Sequence, residues 1–207
     1  MTPLTRLASM AVSLPDADVD TDIIYPARFL LITDREGLGR YAFHDRRSEP
    51  GFALGDLTAR KVEILVCGAN FGFGSSREQA VWAPAGLGVR LLIAPSFGEI
   101  FRANCAKNGV LAVTLPTGIV DRLHAVARTG ERFVLDLERS TLDVPSVGSL
   151  VLAVAEDVRQ SLLNGWDETA RIRALHDHDI ARFEAAQRET APWLWATPAA
   201  GPTPTDI

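Results

Sequence analysis

The sequence predicts an α/β fold built round parallel strands, on three observations. Residues 62–67 (VEILVC) and 89–94 (VRLLIA) are short β-branched runs that stop at turn residues, as strands buried on both faces do. Between them lie a glycine-rich stretch, residues 68–74, and a helix-forming stretch, residues 75–85. The same order then recurs, with a helix expected over 97–108 and a strand over 110–115. Strands joined by crossover helices run parallel, which sets the class.

Taken in order, the chain opens with an expected strand at 7–14, stopped by Pro15. Its one early cation, Arg6, and the serines at 9 and 13 do not suit a secretory leader, and no apolar run nears the ~18 residues of a membrane span. Asp18, Asp20 and Asp22 then alternate ahead of an apolar stretch, residues 23–32, in which Pro26 excludes a regular strand. A loop holding an acid beside an apolar lip is expected. The alternating carboxylates resemble part of a calcium loop, but neither the glycine at its sixth position nor the glutamate at its twelfth is present; alone they would read as a solvated acidic turn.

Beyond the first buried strand, Ser75 or Ser76 is expected to cap the helix over 75–85, with Glu78 as capping-box partner. Pro95-Ser96 begins the next helix and Gly109 ends it. Residues 133–137 and 141–144 read as a hairpin across Glu138-Arg139-Ser140, followed by a strand at 150–154. Residues 156–189 are helical, divided at Gly165, and Ile172, Leu175, Ile180 and Phe183 share one face of the second part. Without repeats or a linker, residues 1–195 read as one domain, and the Pro-, Thr- and Ala-rich residues 196–207 as a flexible tail.

Composition narrows the function. The 207 residues are 47% hydrophobic and 23% charged, enough for one substantial core. A net charge of −5 offers no general attraction to nucleic acid or an anionic membrane. Two cysteines, Cys67 and Cys105, without a CxxC or a histidine cluster, are too few for a zinc knuckle, a self-contained iron–sulfur site or a disulfide scaffold. No metal site is expected in this chain, and free thiols point to the reducing cytoplasm. Among the histidines, His176 and His178 point roughly 200° apart on a helix and cannot chelate one ion together. His44 and His124 have no recognisable partner.

The chemistry concentrates in residues 68–78. Three glycines in seven residues let the backbone approach a ligand closely, and two hydroxyls and a guanidinium follow at Ser75, Ser76 and Arg77. A phosphate-binding P-loop would need a lysine here, and the dinucleotide pattern GxGxxG fails because Arg77 stands at its third glycine. A tight turn with a helix cap would explain the glycines and a serine. An arginine beside two serines at an expected helix start suits a planar carboxylate better, since the guanidinium fork binds one bidentately.

Three separated segments carry a family resemblance: DVDTDII at 18–24 with Pro26, Phe29 and Leu30; NFGFGSSRE at 70–78; and APSFGEIF at 94–101 running on to Asn104-Cys105 and Lys107-Asn108-Gly109. In order, spacing and length the chain resembles the small subunits of 3-isopropylmalate dehydratase, within the aconitase superfamily. The resemblance implies a swivelling β/β/α domain that supplies half of an active site, with a helical C-terminal region. It implies a large-subunit partner that carries a [4Fe–4S] cluster, and a dehydration and rehydration that interconverts 2-isopropylmalate and 3-isopropylmalate through an unsaturated diacid in leucine biosynthesis. Ser75 would be the base, acting as an alkoxide. Ser76 and Arg77 would hold a substrate carboxylate, and Asp22 would face the closed site. In homoaconitase-type relatives an arginine in the lip meets a third carboxylate. Here the lip is Phe29-Leu30-Leu31-Ile32, without a cation, so Leu30 and Leu31 are expected to meet an alkyl group.

Gln79, Phe73, Pro84 and Ala106 depart from the usual family pattern. They leave open the same chemistry on a neighbouring substrate, such as methylmalate and citraconate or dimethylmaleate. A third reading is a stand-alone anion-binding module without catalysis.

Overall fold

The computed structural model describes residues 1–32, 34–55 and 61–195; the expected flexible tail at 196–207 lies outside them. The chain forms two compact units, Met1–Asp167 and a second beginning at Glu168.

The first unit is organised by one seven-stranded sheet. Its strands are β1 (Arg6–Leu14), β2 (Ile64–Cys67), β3 (Leu91–Ala94), β4 (Leu111–Thr114), β5 (Arg132–Asp136), β6 (Thr141–Val144) and β7 (Gly148–Val151), in the order β4-β3-β2-β1-β5-β6-β7. β1 to β4 are parallel, whereas β5 to β7 continue antiparallel from the other edge of β1. The helices are a single turn α1 (Thr21–Ile24), then α2 (Gln79–Gly86), α3 (Glu99–Lys107), α4 (Thr117–Ala127) and α5 (Glu156–Asn164).

Side-chain alternation explains the layering. In β2, Leu65 and Cys67 enter one core while Ile64 and Val66 enter the other; Leu92 and Ala94 against Leu91 and Ile93 do the same in β3. The parallel half is therefore covered on both faces, which is why its strands read as unbroken apolar runs. β5 and β6 bury one set only, Phe133, Leu135, Leu142 and Val144, and alternate with more exposed residues.

The two βα units and the hairpin lie where the sequence predicts, with ends shifted by a few residues. The capping box is not formed. α2 begins at Gln79, and Glu78 precedes it in helical conformation (φ −63°, ψ −30°) without a side-chain cap. The Arg77 N–H donates to the Ser75 carbonyl at 2.9 Å, closing a tight turn that keeps both serines out of the helix. α4 has no counterpart in the sequence reading, although Ile119, Val120, Leu123 and Val126 recur at helical spacing behind Pro116.

His124, on α4, does have partners. Its Nδ1 lies 2.9 Å from the Ser13 hydroxyl, and the ring is 7% exposed. Burial lowers its pKa below 6.5, opposed by a hydrogen bond to the Cys67 backbone. A histidine depressed in the folded state binds its proton more readily when unfolded, so its contribution is complete above pH ~6.5 and is lost as pH falls through the folded value. His124→Gln is expected to flatten the fall in Tm between pH 7.5 and pH 5, measured by thermal denaturation beside the native chain. An equally steep fall in the variant would refute the assignment.

The second unit contains α6 (Glu168–Thr190) and a 3₁₀ turn, Pro192–Leu194. The expected apolar stripe is not covered within it: Ile172, Leu175 and Phe183 are all exposed. His176 has non-helical angles (φ −130°, ψ 16°), and this break shifts the phase between the first two stripe residues and the last two. No helix among the described residues is long and apolar enough to cross a membrane.

Candidate active site

The three sequence motifs meet at the carboxyl ends of β1, β2 and β3. Parallel strands bring their following loops to one edge, and in open α/β sheets that edge is where ligands bind. The loops extend the sheet by their own backbone bonds. Gly68 N–H donates to Leu14 O (2.9 Å), Gly72 N–H to Val19 O (2.7 Å) and Thr21 N–H to Phe73 O (3.0 Å). On the other side Phe71 N–H donates to Ser96 O (3.1 Å) and Gly98 N–H to Phe71 O (3.0 Å). Asn70, in left-handed conformation at φ 56°, donates its side-chain amide to Asp18 (2.7 Å) and its backbone N–H to the Ser96 hydroxyl (2.8 Å). Phe71 anchors this ladder from below, fully buried and edge-on to Phe97 and Phe101.

Where the second and third motifs meet, two glycines are required by contact. A Cβ at Gly72 (φ +75°) would fall 2.3 Å from the Phe101 ring, and one at Gly98 would fall 2.5 Å from the Gly72 carbonyl oxygen. The second and third motifs touch through bare backbone.

The alternating carboxylates take separate partners. Asp18 accepts from Asn70, Asp20 caps α1 by accepting the Ile23 N–H at 2.7 Å, and Asp22 is ion-paired with Arg77. The Arg77 side chain is 16% exposed and Asp22 50%, so the pair sits at the rim with the guanidinium the more enclosed partner. Ser75 and Ser76 are exposed beside it. The structure thus brings Ser75, Ser76, Arg77 and Asp22 to one edge. It does not put the serines at the helix start expected for them, since α2 begins only at Gln79.

The lip follows α1. Ala27–Phe29 form a 3₁₀ turn, and the buried Tyr25 hydroxyl donates to the Phe29 carbonyl at 3.0 Å. The Phe29 ring lies 4.5 Å from Tyr41 and 5.0 Å from His44. Leu30 and Leu31 separate here: Leu30 packs partly against the core, while Leu31 is 93% exposed. Arg28, just before the lip, is engaged by Asp45, whose carboxyl its hydrogen bond holds down at about 2. His44, without a recognisable partner in sequence, stands 3.2 Å from both Arg28 and Asp45. Sequence reasoning also missed Arg35, which reaches Glu78 at 3.9 Å and lies over the Trp82 ring. Its partner is four tens of residues away, beyond any local pattern.

Neither thiol suits an iron–sulfur cluster. Cys67 and Cys105 are fully buried, and burial pushes both thiols up, away from the thiolate such a cluster needs. No group of three or more potential metal ligands occurs among the described residues.

A swivel-type α/β domain with a serine, a guanidinium and a carboxylate at one open sheet edge defines the class, and the Aconitase C-terminal domain family matches residues 1–118. Curated relatives narrow it. The chain is 40% identical over 202 residues to a protein of Paramagnetospirillum magneticum called 3-isopropylmalate dehydratase small subunit, covering 94% of this chain and 100% of that one. A protein of the same name from Rubrobacter xylanophilus is 41% identical over 194 residues, covering 93% and 98%. The chain belongs to the 3-isopropylmalate dehydratase small-subunit family. A crystal structure titled 3-isopropylmalate dehydratase from Methanocaldococcus jannaschii has the same fold, at a TM-score of 0.66, 23% identity, and coverage of 86% of this chain and 99% of that one.

Proposed function

We propose that this chain is the small subunit of a hydro-lyase that interconverts 2-isopropylmalate and 3-isopropylmalate, serving leucine biosynthesis in the cytoplasm. The observation that carries the reading is near-full-length identity of about two residues in five to proteins of that name. The exposed Ser75, Ser76 and Arg77 beside Asp22 are consistent with half of a site that a partner completes.

Ser75 Oγ, as alkoxide, takes the carbon-bound proton of the substrate. The C–H bonding pair forms the carbon–carbon double bond as the hydroxyl leaves the neighbouring carbon with its own bonding pair and takes a proton from an acid on the partner's half of the site to become water. On rehydration water returns that proton and adds as hydroxide at the other carbon, while Ser75 gives its proton back to the carbon that lost the hydroxyl. A serine hydroxyl is a very weak acid, so the alkoxide needs strong local stabilisation. With α2 starting four residues later, the Arg77 guanidinium and donors near the loop must supply it. Arg77 and Ser76 hold a substrate carboxylate, and Asp22 orients the guanidinium. The [4Fe–4S] cluster belongs to the large subunit, since neither buried thiol here can serve it.

Leu31, with Leu30 behind it, meets the alkyl group. Burying the two carbons by which isopropyl exceeds methyl favours isopropylmalate over methylmalate by about 0.8 kcal/mol each, or about 15-fold together. Coexpression with the large subunit and anaerobic cluster reconstitution tests this. The highest kcat/KM is expected for isopropylmalate. A higher value for methylmalate or dimethylmaleate would transfer the chain to a neighbouring hydro-lyase, and one for homoaconitate or citrate would refute the uncharged lip as the selector. A chain that binds a dicarboxylate but forms no complex would refute the enzyme reading.

A further inference from the structure

Thr21 carries a polar group that the fold leaves idle. It is 2% exposed, and its Oγ1 has no hydrogen-bond partner among the described residues. Its backbone is fully used, the N–H by Phe73 O and the carbonyl by the Tyr25 N–H at 2.9 Å. Its neighbours are also engaged, Asp20 as the cap of α1 and Asp22 with Arg77. An unpaired buried hydroxyl is a cost that an isosteric valine would avoid, so the fold alone gives no reason for it.

The hydroxyl faces the catalytic loop. A Cβ placed on Gly74 would lie 3.6 Å from Thr21 Oγ1, the nearest atom outside Phe73–Ser75. Gly74 holds φ +98°, and the next residue is Ser75, whose side chain has no partner among the described residues either. An unpaired buried donor thus lies beside the glycine that immediately precedes the exposed Ser75.

We infer that Thr21 is a positioning residue for Ser75: its hydroxyl donates to the Ser75 oxygen when substrate and large subunit close the site, and so stabilises the alkoxide. This rests on the function proposed above. It also supplies a donor at the place where the expected helix N-terminus is missing.

The test compares Thr21→Val and Thr21→Ser with the native chain, each in the reconstituted two-subunit enzyme. Removing a hydrogen bond to a charged group is expected to lower kcat about 10- to 100-fold, with KM little changed. The acid limb of the kcat profile should move to higher pH, because losing the donor raises the pKa of Ser75. Thr21→Val is expected to raise Tm by about 2–4 °C by removing the unpaired hydroxyl. Thr21→Ser should restore most of the turnover. A valine variant with kcat within twofold of native overturns the inference, and so does a parallel loss of Tm and kcat in both variants, which would mark a packing role. Any alkyl malate that turns over serves as readout. A native complex inactive on all of them would instead refute the functional reading, and the inference with it.

Discussion

Ser75→Ala is expected to assemble normally with the large subunit and to lose about 10²- to 10⁴-fold in kcat, the range a positioned base contributes. Ser75 is exposed, lies outside α2 and packs into neither core, so deleting its hydroxyl should change stability by no more than about 0.5 kcal/mol. Separating the two effects is what makes the variant informative. kcat and kcat/KM should fall together, because the hydroxyl acts on the proton in flight and not on the bound carboxylate. Gel filtration of the complex and steady-state assay of the same preparation supply both readouts. Near-native turnover in a fully assembled complex would remove Ser75 from the chemistry.

Gly98→Ala is expected to damage the frame that holds the second and third motifs together. Gly98 has φ −59° and ψ 132°, a conformation any residue adopts, so alanine itself would not be strained. The obstacle is contact. The new Cβ would lie 2.5 Å from Gly72 O and 2.9 Å from Phe73 Cα, backbone atoms that cannot rotate away. The glycine loop must retreat, stretching the Gly98 N–H bond to Phe71 O and the bridge between Phe71 and Phe97. A loss of about 1–3 kcal/mol is expected, as for overpacking elsewhere, together with reduced turnover because Ser75 is three residues beyond Gly72. Gly118→Ala is the control: nothing lies within 4 Å of its would-be Cβ. Thermal denaturation and kcat of the two variants decide the matter, and a Gly98 variant as stable as the Gly118 one would show that the loop is not held by this contact.

Much of the framework was legible because it is written in short-range signals. The runs at 62–67 and 89–94 announced strands buried on both faces, and β2 and β3 are so. Gly165 announced a helix end and adopts the left-handed angles (φ 68°) that close α5. Ser75 misled for an equally physical reason. A serine ahead of a helix-forming stretch is a good cap only if the chain enters the helix at once, and the Ser75–Arg77 turn delays entry to Gln79. The stripe on α6 misled because periodicity assumes an unbroken helix, which His176 interrupts.

By itself the sequence determined the α/β class, the three motifs and the residue types that carry the chemistry, since each depends on neighbours a few positions away. Only the tertiary structure decided their pairing. Asp22 and Arg77 are 55 residues apart in the chain, and Asn70 reaches Asp18 across 52; both pairs form because parallel β1 and β2 release their loops at the same sheet edge. Which serine neighbour keeps an unpaired hydroxyl, and which leucine of the lip faces solvent, likewise depend on what the folded chain places beside them.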